Sequence, residues 1–143
     1  RVRRHGAQFV LTVNLPASMI EFYAAFQSIL ERHRLHDSVV KLQDHIRTKR
    51  PTVSQVKAWL AEAGFENVSN QQDSFQLRYL DAEAIFNHHF IKYWFTASWK
   101  ELVPQSEWQA VFGDLEQQLN REARRNGEIK LTVPYATIDC RRR

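Results

Sequence analysis

Apolar residues recur at helical spacing most clearly within residues 50–65, Arg-Pro-Thr-Val-Ser-Gln-Val-Lys-Ala-Trp-Leu-Ala-Glu-Ala-Gly-Phe. Val56, Trp59, Leu60 and Ala63 fall three and four apart, so one stripe of a helix is apolar and has to lie against something. Thr52 and Gln55 have the spacing of a capping box, in which each side chain satisfies a backbone N–H of the other. Pro51 disfavours helix for the residue before it. Gly64 suits the left-handed end of the helix, and Phe65 stands where a Schellman end returns an apolar contact. Strand-like sequence follows at once, so the segment reads as the helix of an αβ unit.

The same reading extends along the chain. Gln8-Phe-Val-Leu-Thr-Val-Asn14 is a nearly continuous, β-branched apolar run, as expected of a strand covered on both faces in a parallel sheet. Ser18 and Glu21 form a second capping-box pattern before a helix to Arg32, with Met19, Phe22, Tyr23, Phe26, Ile29 and Leu30 inward. From His33 to Arg50 the pattern weakens to a short helix or turn inside a connection. Residues 66–72 and 75–80 read as extended, Phe75, Leu77 and Tyr79 alternating with Gln76 and Arg78. Asp81 caps a helix placing Ile85, Phe86, His89, Phe90 and Tyr93 or Trp94 on one side. Ser106 and Gln109 give a third capping box, opening a helix with Trp108, Val111, Phe112, Leu115 and Leu119 inward that ends at Asn126-Gly127. Residues 129–140 are a last strand, and Pro134 in its middle predicts an edge or a bulge.

Composition narrows the class. At 143 residues and 43% hydrophobic, the chain is expected to form one domain, residues 1–143. No apolar run approaches the roughly 20 residues that span a bilayer, and no signal-peptide pattern opens the sequence, so no membrane partner is expected. The single cysteine, Cys140, rules out an intramolecular disulfide and fits a reducing, cytoplasmic setting. The net charge is +4, but six arginines (Arg1, Arg3, Arg4, Arg141, Arg142, Arg143) lie at the ends and leave the body at −2. That is a poor footprint for nucleic acid, which would be bound, if at all, through the ends.

Four stretches carry a family resemblance. Arg3-Arg4-His5-Gly6-Ala7-Gln8-Phe9-Val10-Leu11-Thr12-Val13 resembles the approach to the fifth strand of class I methyltransferases that use S-adenosylmethionine. Residues 50–65 are similar to that family's late helix ending in Ala-Gly-Phe. Residues 130–141, Lys-Leu-Thr-Val-Pro-Tyr-Ala-Thr-Ile-Asp-Cys-Arg, are similar to its closing strand. The aromatic segment 75–99 resembles the helical insertion of UbiE-like small-molecule methyltransferases. The resemblance implies an α/β fold: a partial Rossmann-like methyltransferase sheet, its last three to four strands, with a helical insertion over 81–127 before the final strand.

The resemblance covers only the back half of that family. Its members bind the cofactor at a glycine-rich turn after their first strand, with an acidic residue on the ribose. Here Gly6, Gly64, Gly113 and Gly127 are the only glycines, never two within one turn, and His5 and Ala7 replace a usual Pro and Gly. S-adenosylmethionine is expected for the complete family fold and no cofactor for this chain alone. The implied partner is a missing N-terminal half, or a second copy, at a strand edge left bare in residues 9–14. The resemblance also implies that Asn14, Leu15 and Pro16, after the fifth strand, and His89, Tyr93 and Trp94, on the insertion, flank the methyl acceptor. His89 is the one of these with an ordinary pKa suited to acid–base work.

Other chemistry has less support. His33, His36, His45, His88 and His89 lack an acidic partner at motif spacing and read as structural or surface residues rather than metal ligands. No Gly-x-Ser-x-Gly occurs, and Cys140 has no base beside it in sequence. A different class stays open: a non-catalytic interaction module that docks a partner protein with its aromatic helices.

Overall fold

The computed structural model describes residues 4–143. Strand β1 (Gln8–Asn14) is followed by helices α1 (Ile20–Arg32), α2 (His36–Lys49) and α3 (Val53–Glu62). Then come β2 (Phe65–Tyr79), α4 (Ala82–Asn87), α5 (His89–Trp94) and α6 (Thr96–Glu101). A short 3-10 turn, α7 (Trp108–Asn126) and β3 (Ile129–Arg142) complete the chain. The protein is mixed α/β with a three-stranded antiparallel sheet in the order β1-β3-β2.

The chain divides into two compact units, with β2 and β3 each continuing from one into the other. The sheet unit holds residues up to Ser18, Ile46–Phe75 and Thr132–Arg143. In it β1 pairs antiparallel with β3 from Gln8↔Arg141 to Asn14↔Tyr135. Leu11, Val13 and Phe65 pack on a core of Val56, Leu60, Ile138 and Cys140, so α3 covers one face of this pair. Val10, on the other face, is 52% exposed. The strand is therefore not buried on both sides in a parallel sheet, as its apolar run suggested. An antiparallel neighbour and a single covering helix leave one face wet.

The capping box of α3 forms as read, Gln55 N–H donating to Thr52 Oγ1 at 3.3 Å and Thr52 N–H to Gln55 Oε1 at 2.8 Å. Gly64, at φ 81°, ends the helix. A Cβ there would stand 3.2 Å from the guanidinium of Arg142, which donates to Ala63 O and lies over the Phe65 ring. A cation at the last carbonyls also suits the helix dipole. Trp59, assigned to the inward stripe, is instead 56% exposed. Val56 and Leu60, four apart, suffice for the narrow contact.

In β3 the buried positions are Ile129, Leu131 and Val133, then Ala136, Ile138 and Cys140. The buried set thus changes parity at Pro134-Tyr135, where the proline predicted an irregularity. The strand is central rather than an edge. Pro134 is tolerated because its position lies one rung beyond β1, opposite Leu15.

The helical unit holds Met19–His45 and Gln76–Leu131. α1 and α4 both pack on α7. Phe22, Tyr23, Phe26, Ile29 and Leu30 of α1, and Val111, Leu115 and Leu119 of α7, are fully buried, as their spacing predicted. Gly127, at φ 82°, ends α7. Neither further capping box forms. α1 starts behind Met19 in the left-handed region, and α7 starts from the 3-10 turn containing Ser106, with no side-chain cap on either. Residues 36–49, weakly patterned, are one regular helix: only Ser38 and Leu42 are buried, so little of its surface needs an apolar stripe. The two extended runs after α3 are one strand of 15 residues.

Candidate functional site

The positions singled out from sequence fall into two groups. Asn14, Leu15 and Pro16 end β1 in the sheet unit. Leu15 N–H donates to Pro134 O at 2.8 Å. Its carbonyl accepts from Ser18 N–H at 3.1 Å and Ser18 Oγ–H at 2.7 Å, which draws Ser18 away from capping α1. The Asn14 side chain is exposed, and the turn presents backbone rather than a titratable group.

His89, Tyr93 and Trp94 lie on α5 in the helical unit. Asp81 caps α4 as expected, accepting from Ala84 N–H at 2.8 Å. The continuous helix read through this segment does not occur. His88, at φ −59° and ψ 124°, interrupts it between α4 and α5. The break turns the aromatic side outward: Ile91 is buried, while His89, Phe90, Tyr93 and Trp94 are exposed, the last two at 66% and 68%. The His89 and Tyr93 rings are 4.6 Å apart, and Phe90 and Trp94 are 6.5 Å apart, each pair one helical turn along the same face. Segment 88–94 carries Lys92 and two histidines but no acid.

The remaining histidines have structural neighbours. His33 Nε2 meets Asp114 Oδ2 at 2.9 Å. The His45 ring lies edge-on to Tyr23, with Nε2 3.5 Å from the hydroxyl. Among the described residues no three His, Cys, Asp or Glu side chains are placed to hold a metal. Cys140 is buried, its thiol donating to Phe9 O at 3.0 Å, and burial pushes the thiol pKa up, away from a reactive thiolate.

Sequence reading missed two groups that only packing assembles. Trp99, fully buried and stacked on Phe22 at 4.3 Å, donates from Nε1 to Tyr23 Oη at 3.3 Å. Tyr79 is 8% exposed, and its hydroxyl finds no hydrogen-bond partner among the described residues. Burial pushes its phenol pKa up. A lone Tyr in an alternating strand gives no advance sign of either state. Polar cavities of about 350 and 400 Å³ open elsewhere, one among Asp81, Glu83, Glu116, Asn120 and Arg124, the other among Gln71, Gln72, Asp73, Tyr135 and Thr137. Neither includes a residue expected to flank the methyl acceptor.

The glycines do not build a nucleotide-type turn. Gly64 and Gly127 end helices and Gly113 lies inside α7, so none of these opens a helix after a strand. Gly6 precedes β1. Compared with protein-family models and with curated proteins, the chain matches none.

Among the described residues, no helix is long and apolar enough to cross a membrane. Taken separately, the first group offers a backbone turn after β1 and the second an exposed aromatic face on α5.

Proposed function

We propose that this chain is the carboxy-terminal portion of an S-adenosylmethionine-dependent methyltransferase acting on a small molecule, inactive until completed by a cofactor-binding half. The observation that carries the reading is that β1 has a strand neighbour on one side only, β3, while its other edge is open among the described residues. An open edge with an apolar strand behind it is what a removed sheet neighbour leaves. The order of elements supports it too. Of the stretches that resemble the family, residues 8–13 fall on β1, 53–62 on α3 and 130–141 on β3, and four helices stand between β2 and β3, where the insertion was expected. In this reading the sheet is the end of a Rossmann-like one. By the family resemblance, Asn14, Leu15 and Pro16 of the sheet unit and His89, Tyr93 and Trp94 of the helical unit are the residues assigned to the acceptor. Their work is positioning and exclusion of water, after the other half has supplied the cofactor site.

Isothermal titration tests this. The chain alone binds no S-adenosylmethionine, and binding appears when it is co-expressed with the reading frame upstream of the Arg1 codon. Micromolar affinity of the chain alone refutes the proposal, as does an upstream frame without a glycine-rich strand–turn–helix.

A second reading has its own observation. The face of Phe90, Tyr93 and Trp94 on α5 is large, aromatic and exposed, as expected of a surface that docks a partner protein without catalysis. Under it, Tyr93→Ser with Trp94→Ser abolishes partner capture while changes along the β1 edge do not.

A further inference from the structure

The open edge of β1 also has a self-complementary geometry. Arg142 N–H donates to Ala7 O, and Leu15 N–H to Pro134 O, so the odd-numbered residues of β1 direct their backbone groups at β3. By the alternation of an antiparallel ladder, Gln8, Val10, Thr12 and Asn14 direct theirs outward. Those four residues keep the same spacing when a second β1 is laid antiparallel with Leu11 opposite Leu11. Gln8 then faces Asn14 and Val10 faces Thr12, each an outward-directed pair. Every open N–H and C=O of the strand is used, giving roughly eight interchain hydrogen bonds.

Charge favours this occupant. Gln8–Asn14 contains no charged residue, proline or glycine, so two copies meet without repulsion and with none of the devices that blunt an edge. The sheet's other edge is β2, which carries Glu66, Asp73 and Arg78. Phe9 and Val10, both exposed, gain cover as each chain's three strands join into one continuous sheet.

We propose that two copies of this chain pair through β1, antiparallel about Leu11. The pairing needs only the open edge and does not rest on the methyltransferase reading; under that reading the missing half would displace the second copy from the same edge. Light scattering behind size exclusion, on the full chain over a range of concentrations, is expected to give a dimer. Val10→Lys with Thr12→Lys, both on the exposed face, sets lysine opposite lysine across the axis and is expected to weaken the dimer roughly tenfold or more, with an unchanged circular dichroism spectrum. Leu11→Cys is expected to form an interchain disulfide on mild oxidation, since facing Cα atoms of such a pair lie about 4.5 Å apart. A wild-type chain that stays monomeric overturns the proposal. A dimer untouched by the lysine pair, or one in which Leu11→Cys folds but does not cross-link, overturns it equally. Failure of the methyltransferase reading shows instead in cofactor titration, a separate measurement.

Discussion

Leu15 and Pro134 face each other one rung past the end of the β1–β3 ladder, and only half of that rung can be made. Leu15 N–H reaches Pro134 O at 2.8 Å, but proline returns no N–H. Ser18, fully buried, supplies both donors that the Leu15 carbonyl needs. One residue thus shapes the turn after β1 from more than a hundred positions away.

Ser18→Ala is expected to destabilise by about 1 kcal/mol, because the part-buried Leu15 carbonyl loses one of its donors. In a Pro134→Ala background the restored N–H can serve Leu15, and the same substitution is expected to cost less by about 0.5–1 kcal/mol. Urea unfolding of the four proteins of this cycle measures the coupling, and strict additivity refutes it.

Thr52→Ala removes an N-cap hydroxyl that accepts from Gln55 N–H. The expected loss is about 1 kcal/mol, with Thr52→Ser close to wild type. Thermal unfolding followed by circular dichroism reads both.

Trp99 and Tyr23 are fully buried and share a hydrogen bond. Tyr23→Phe leaves the indole N–H without that acceptor and is expected to cost about 1–3 kcal/mol. Trp99→Ala opens a cavity beside Phe22 and is expected to cost about 3–5 kcal/mol. Chemical denaturation with tryptophan fluorescence ranks the two.

Glu128 is held below the usual carboxylate range chiefly by its hydrogen bonds from Arg78, Nε and Nη2 each at 2.7 Å, and secondarily by Lys130. A carboxyl depressed in the folded state adds stability above its unfolded pKa of about 4.3, and that part is lost as pH falls through the folded value. Arg78→Ala is expected to return the Glu128 carboxyl toward its ordinary pKa. Carbon-13 titration of Glu128 reads the shift, and no upward movement refutes the assignment.

Features written in neighbouring residues were legible from the order of amino acids alone. The Thr52–Gln55 box, the Asp81 cap, the glycine ends of α3 and α7, and the inward rows of α1 and α7 all depend on contacts a few positions apart. Such contacts form or fail locally, so a pattern suffices to read them. Packing decided the rest: that β3 lies between β1 and β2, that Ser18 turns to Leu15 instead of capping α1, and that a break at His88 sends Tyr93 and Trp94 outward. Each of these hangs on what a distant segment offers or withholds, as Pro134 withholds an N–H from Leu15, and no local spacing carries that information.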